Sequence, residues 1–265
     1  MVPDRELLNK IAVITGASSG IGRATALALA REGAHLALGA RNEKALEEVA
    51  GEIQALGCET LVLQTDVTNQ EQVQRLVEST LERWGRVDIL IANAGQYIQA
   101  PIRELTVSDM EASMAVNFYG GLYAILAVLP HMLERHSGHV VIVSTMDTKT
   151  PIPPDSPYVA AKTALRGFGE VLRQELYGTG VHVSIILPGR VDTPMIEALN
   201  FAWVSSKISP ETVASEILRA ISRRKVQVVL PPQAYLFIIL RDFFPRLADW
   251  AARAFRLEGW KVNSR

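Results

Sequence analysis

Cysteine is almost missing. Cys58 is the only one in 265 residues, which excludes a disulfide framework or a cysteine-rich zinc site within the chain. A surplus of charge is missing too, because 27 Lys and Arg stand against 28 Asp and Glu for a formal net charge of −1. Without an overall positive field the chain is not a general nucleic-acid binder. With 48% hydrophobic residues it is not intrinsically disordered either. No apolar run approaches the roughly 20 residues of a membrane-spanning helix, and MVPDRELLNK lacks the apolar stretch of a signal peptide. Boundary linkers, low-complexity tracts and short-period repeats are absent as well. The expectation is a cytoplasmic protein with one α/β domain over residues 1–232, followed by an extension over 233–265.

What is present is alternation. The segments 11–15, 36–40, 60–64, 88–93, 140–144, 183–188 and 226–230 are short runs rich in Val, Ile and Leu. They have no polar alternate face, as strands need when helices cover both sides of a parallel sheet. Helical periodicity fills 21–32, 43–56, 69–84, 108–135, 157–177 and 210–223. Repeated strand–helix alternation predicts βαβ units and a doubly wound, mostly parallel seven-stranded sheet with helices on both faces. Helix-end signals agree: Asn69 before Glu71, Gly85 after Trp84, and Ser209 before Pro210.

The first strand runs into Thr15-Gly16-Ala17-Ser18-Ser19-Gly20-Ile21-Gly22 and then an Ala-rich helix. Glycines here let the backbone turn tightly and approach a pyrophosphate seated on the helix N-terminus. The G-x-x-x-G-x-G spacing differs from G-x-G-x-x-G, and no Gly-Lys-Ser/Thr follows as in a phosphate loop. Further on, Asp66-Val67 follows the third strand, Asn93-Ala94-Gly95 ends the fourth, and Asn117 lies in an apolar helix. Tyr158 and Lys162 are four apart at the start of another helix, and Pro188-Gly189 ends the sixth strand. Together, in this order, these motifs resemble the short-chain dehydrogenase/reductase family over about residues 8–230.

That resemblance implies a Rossmann-type fold, a nicotinamide cofactor and a small-molecule carbonyl or secondary alcohol as substrate. It implies that Asp66 and Val67 border the adenine, and that Asn93, Ala94 and Gly95 flank the adenosine side of the cleft. It also implies that Val191 and Thr193 meet the cofactor amide, with Pro188 and Gly189 supplying a turn. A homodimer or homotetramer built through helices 108–135 and 157–177 follows from the same likeness. The second strand ends Gly39-Ala40-Arg41-Asn42 with no acid before Glu43. An acid there would hold the ribose hydroxyls of NAD, whereas Arg41 can fork onto a 2′-phosphate. NADP(H) is therefore expected, with Asn42 and Ser18 as further phosphate contacts.

Tyr158 and Lys162 project from one helix face. A phenol with a reference pKa of about 10 is poorly matched to proton transfer at neutral pH. An ammonium about 4 Å away contributes roughly 4 kcal/mol at an effective dielectric near 20, or about three pKa units. Tyr158 is thus the expected acid–base residue, and Lys162 is expected to lower its pKa and bind ribose. A hydroxyl must also steady the carbonyl oxygen. The family's serine lies 13 residues before the tyrosine, which is Thr145 here, while Ser144 lies 14 before it. Threonine keeps the donor, and a one-residue shift in MDTKTPIPPDSP restores Ser144, so both stand. By resemblance, Asn117 holds a water that links Lys162 to solvent.

No metal is expected. The five histidines show no zinc pattern, and His131, His136 and His139 read as surface residues near a helix end. Phe201 and Trp203 in the segment 195–210 point to an apolar substrate. In the extension, Ala234 to Leu240 is a seven-residue apolar run. Phe244, Leu247, Trp250, Ala251, Ala254 and Phe255 read as one apolar face, with Arg246, Arg253 and Arg256 elsewhere. Six basic residues against three acidic ones in 233–265 suit peripheral membrane contact through 233–258, cover of the substrate cleft, or an oligomer contact. A non-catalytic dinucleotide-binding regulator and a membrane-associated lipid or sterol dehydrogenase are the alternative functions.

Overall fold

The computed structural model of the protein describes residues 7–197, 199–200, 207–254 and 260–261. The apolar runs form β1 (Ile11–Thr15), β2 (His35–Ala40), β3 (Thr60–Gln64), β4 (Ile89–Ala92), β5 (Gly138–Val143) and β6 (Val181–Pro188). They are followed by β7 (Leu199–Asn200), β8 (Gln227–Leu230) and β9 (Trp260–Lys261). Between them lie α1 (Gly20–Arg31), α2 (Glu43–Ala55), α3 (Gln70–Trp84), α4 (Val107–Met114), α5 (Gly120–Glu134), α6 (Ser156–Glu175) and α7 (Pro210–Ser222). Last come α8 (Ala234–Phe243) and α9 (Pro245–Ala254).

Seven strands pair in the order β3-β2-β1-β4-β5-β6-β8, all parallel. Strand order reverses between β1 and β4, where Ile14 is registered between Leu38 and Ile91. A crevice opens at such a reversal, at the carboxyl ends of the strands. Alternate residues feed opposite cores. Ile14, Ile91 and Val141 pack under α1, α2 and α7 against Leu29, Leu46, Ile53 and Ile217. Val13, Leu90 and Ile142 pack under α3, α5 and α6 against Leu76, Ile125, Met132 and Leu165. Both faces are covered, which is why the strands carry no polar alternate.

The helix ends follow their local signals. Asn69 Oδ1 accepts from the Gln72 N–H at 3.1 Å, and Gly85 closes α3 in the left-handed region at φ 71°. Ser209 Oγ accepts from the Thr212 N–H at 3.1 Å.

Three expectations need correction. The helix expected over 108–135 is α4 and α5 joined by a π-helical turn, Ala115–Tyr119, with Asn117 buried in it. The whole run Val107–Glu134 is apolar and long enough to cross a membrane by composition, but Ala124, Ile125, Val128 and Met132 are buried in the domain core. His139 is not a surface residue: it lies in β5, buried, with Nε2 2.8 Å from Ser184 Oγ. Burial first, and then His182, push its pKa down to about 4. In the extension the chain breaks at Phe244 before Pro245, so Phe244 is not on the face of α9.

Helix α8 packs on the sheet through Ile238, which meets Ile185, Leu187 and Val229. Arg241 Nη1 donates to the Pro151 carbonyl at 3.1 Å. Tyr235, Leu236, Ile239, Phe243, Phe244, Leu247 and Trp250 are exposed. Phe201, Trp203, Phe255 and Arg256 lie outside the described residues.

Candidate active site

The carboxyl ends of β1, β4, β5 and β6 surround a cleft of about 340 Å³. Every residue singled out from the sequence lines it except Gly22 and Asn117, which stand behind its wall. The glycine turn forms because β1 must reverse directly into α1. A Cβ on Gly22 would lie 2.1 Å from the Gly16 carbonyl oxygen, so only glycine lets the first turn of α1 close onto the end of β1. Thr15 Oγ1 accepts from the N–H groups of Asn93 and Ala94 at 3.1 and 3.2 Å. Asn93 Nδ2 donates back to the carbonyls of Thr15 and Gly16, so the ends of β1 and β4 are locked together. Ser19, at the N-cap of α1, makes no side-chain cap, which leaves the first N–H groups of that helix to face the cleft.

Along the next edge, Ala40 is buried and Arg41 is exposed at the rim. Asn42 is partly spent elsewhere, since its Oδ1 accepts from the Ala45 N–H at 3.1 Å as the cap of α2. Asp66 is held below the usual carboxylate range, first by the Thr68 N–H and also by the Thr68 hydroxyl and the Arg41 guanidinium.

At the other end of the cleft, α6 brings Tyr158 and Lys162 to the same wall, both buried. Lys162 Nζ donates to the Val143 carbonyl at the end of β5, at 2.9 Å. Desolvation brings its pKa down to about 8. A Cβ on Gly95 would stand 3.3 Å from that Nζ and 2.9 Å from Asn117 Oδ1, which fits the missing side chain at the end of the β4 turn. Asn117 does not reach the cleft. Its Oδ1 accepts from the Gln96 N–H, and its Nδ2 donates to the Gln96 carbonyl and to Ser113 Oγ.

The two candidate hydroxyls part company here. Ser144 Oγ donates to the Lys162 carbonyl at 3.1 Å, tying β5 to α6. Thr145 Oγ1 donates to Asp147 Oδ2 at 2.9 Å, and both hydroxyl residues line the cleft. The expected lowering of the Tyr158 phenol by Lys162 is not what the geometry produces. Burial dominates and pushes Tyr158 above its ordinary value, and the carboxylates of Asp147 and Asp155 push it further in the same direction.

Among the lining residues that escaped the sequence reading, four are titratable: Tyr97, Asp147, Asp155 and Arg190. Tyr97 OH donates to Asp155 Oδ2 at 2.5 Å, and Gln99 Nε2 donates to Asp155 Oδ1 at 2.9 Å. Tyr97 lies against Tyr158, ring centroids 4.9 Å apart. Burial, then the Asp155 charge, raises Asp147 to about 6, with Thr145 and Arg190 opposing. The only signal available beforehand was two acids in the loop between Thr145 and Tyr158.

The family model for short chain dehydrogenase matches residues 10–202. An uncharacterized oxidoreductase of Staphylococcus saprophyticus is 39% identical over 221 residues, covering 82% of this chain and 93% of that protein. Another from Listeria monocytogenes is 36% identical over 226 residues, covering 81% and 91%. Among solved structures, an alcohol dehydrogenase of the archaeon Thermococcus sibiricus complexed with 5-hydroxy-NADP superposes with a TM-score of 0.73 at 31% identity, covering 83% of this chain and 95% of that one. A short chain dehydrogenase/reductase of Burkholderia phymatum in complex with NAD superposes with a TM-score of 0.84 at 28% identity, covering 91% and 96%.

The buried ammonium has a measurable consequence. Lowering Lys162 from about 10.4 in the unfolded chain to about 8 costs on the order of 3 kcal/mol. That cost is present in full below pH 8 and fades as pH rises toward 10, where the unfolded chain also loses the proton. Lys162→Met removes it, less about 1 kcal/mol for the stranded Val143 carbonyl. The variant is expected to melt about 2–8 °C higher at pH 7, with the gain shrinking as pH approaches 10 in calorimetry. A lower melting temperature at pH 7 contradicts this account of the site.

Proposed function

The chain belongs to the short-chain dehydrogenase family of oxidoreductases, and from that premise we propose that it interconverts a carbonyl and a secondary alcohol with NADP(H). The observation that carries this reading is the convergence of Tyr158, Lys162 and Thr145 on one cleft that also holds the glycine turn. A dinucleotide fits the residues present. Gly16 and Gly20 line the cleft without side chains, and the uncapped N-terminus of α1 offers N–H groups to a pyrophosphate. When bound, the nicotinamide supplies or accepts the hydride at the carbonyl carbon.

The remaining chemistry belongs to the chain. Tyr158 gives a proton to the carbonyl oxygen during reduction; it is protonated at neutral pH, although its raised pKa makes it a weaker acid than a free phenol. Lys162 brings positive charge to the tyrosine's side of the cleft and binds the ribose. Thr145, which holds the place of the family's serine, steadies the oxygen once its hydrogen leaves Asp147, while Ser144 ties to the Lys162 carbonyl. Asp66, Val67, Asn93, Ala94 and Gly95 line the adenosine side. Val191 and Thr193, beyond the Pro188-Gly189 turn, border the amide side. Asn117 acts by holding Gln96 and the turn after β4.

Arg41 at the rim and the apolar Ala40 beside it support NADP(H) over NAD(H). The two solved neighbours carry one cofactor type each. Ile152, Met195 and Ile196 support an apolar body for the substrate. Exposed Tyr119, Leu126 and Val171 on the π-turn, α5 and α6 support a homodimer or homotetramer through those helices. Exposed Leu236, Phe243 and Trp250 beside Arg241 support peripheral membrane contact through the extension.

Tyr158→Phe is expected to lower kcat/KM for carbonyl reduction by about 10²–10⁴-fold while cofactor affinity by equilibrium titration stays within about threefold. Full turnover in that variant overturns the proposed acid–base role. Arg41→Ala is expected to weaken NADPH binding about tenfold, near 1.4 kcal/mol, and to leave NADH binding unchanged. Equal loss for both cofactors contradicts the 2′-phosphate assignment.

A further inference from the structure

Asp147 stands two residues past Thr145, and the pair is doubly bonded: Thr145 Oγ1 donates to Asp147 Oδ2 at 2.9 Å, and the Asp147 N–H donates to Thr145 Oγ1 at 3.2 Å. A hydroxyl has a single hydrogen. While the Asp147 carboxylate holds it, Thr145 presents only lone pairs to the cleft. A substrate carbonyl oxygen is also an acceptor, so it gains nothing from Thr145 in that arrangement. Asp147 Oδ1 receives no hydrogen bond among the described residues, and Asp147 lines the cleft. Asp155 differs, since Tyr97 and Gln99 occupy both its oxygens. Around Asp147 stand Asp155, Arg190, Tyr97 and Tyr158.

Resting on the reading of the cleft given above, we propose that Asp147 determines specificity, and that the substrate is a carbonyl compound carrying a hydroxyl on the carbon next to the reacting one. The substrate hydroxyl donates to the Asp147 carboxylate in place of Thr145, and the released Thr145 hydrogen turns to the carbonyl oxygen. Two donors then serve two acceptors, and neither is left unpaired. The distances allow it. A carbonyl oxygen bonded to Thr145 lies about 3 Å from Oγ1, hence within about 6 Å of Asp147 Oδ2, a gap that a vicinal hydroxyl bridges. A ketone without the donor leaves Thr145 on Asp147 and its own carbonyl unpolarised. A carboxylate on the adjacent carbon brings no hydrogen and adds negative charge beside Asp147 and Asp155, which Arg190 offsets only in part. The apolar wall of Ile152, Met195 and Ile196 takes the rest of the molecule.

One aromatic scaffold tests this: acetophenone, phenacyl alcohol, phenacylamine and phenylglyoxylate, reduced with NADPH. Phenacyl alcohol is expected to exceed acetophenone at least tenfold in kcat/KM, with phenylglyoxylate below both. In Asp147→Ala the ratio of phenacyl alcohol to acetophenone is expected to fall to near one, with acetophenone turnover raised because Thr145 is freed. Asp147→Asn, which keeps the shape without the charge, is expected to fall between. Binding of phenacyl alcohol to the cofactor-free protein, read by ligand-detected NMR, is expected to weaken in Asp147→Ala while its melting curve stays cooperative.

Equal rates for acetophenone and phenacyl alcohol in the wild type, or a ratio that survives Asp147→Ala, overturn the inference, as does turnover of none of the four. Phenacylamine ahead of phenacyl alcohol by tenfold overturns it in favour of a cationic substrate. Turnover that persists in Tyr158→Phe overturns instead the reading of the cleft on which the inference rests.

Discussion

The Lys162 ammonium, 2.9 Å from the Val143 carbonyl, fixes helix α6 to the end of β5 in the middle of the sheet. A buried charge with so little water around it is costly, and the fold accepts that cost at the point where the crevice opens. Ser144 adds a second tie through its hydrogen bond to the Lys162 carbonyl, and Ser113 Oγ adds a third by donating to the Pro157 carbonyl at the start of α6. With α6 held at three places, Tyr158 has its position set by the helix one turn before the lysine. Ser144 and Thr145 both line the cleft but differ in partner, Ser144 bonding the Lys162 carbonyl and Thr145 the Asp147 carboxylate.

Electrostatics in the cleft run against the simplest arithmetic. A bare Coulomb estimate between an amine and a phenol gives a lowered tyrosine, but it omits desolvation and the acids that face the ring from the loop after β5. Burial and the charges of Asp147 and Asp155 raise Tyr158, while Lys162 is engaged with a backbone carbonyl. A phenol raised in this way stays protonated at neutral pH but is a weaker acid than a free one, so the burial and the acids of the cleft work against the proton transfer asked of Tyr158. The carboxylates that raise Tyr158 also surround the hydroxyl proposed to steady the substrate, so proton donation and substrate choice are governed by one cluster.

Much of the fold was legible because its signals are local. Apolar runs without polar alternates become central parallel strands, and Asn69, Gly85 and Ser209 mark helix ends by bonds within one turn. The glycine turn was legible because a Cβ on Gly22 has nowhere to go. The rest depended on contacts distant in sequence. His139 followed a helix end and read as exposed, yet the pairing of β5 with β6 buries it against Ser184. The π-helical turn around Asn117 reflects bonds to Gln96, 21 residues away. Asp147 and Asp155 sat in a loop with turn-like composition, and only the approach of Tyr97 and Arg190 makes them part of a site.

The buried, anchored Lys162 ammonium holds the site together, and its titration tests that directly. Lysine-selective ¹⁵N NMR of the cofactor-free protein, with the Lys162 resonance assigned by its loss in Lys162→Met, should give a midpoint near 8. A midpoint at the ordinary lysine value of about 10.4 would mean a solvated side chain, and the anchoring of α6 described here would be wrong.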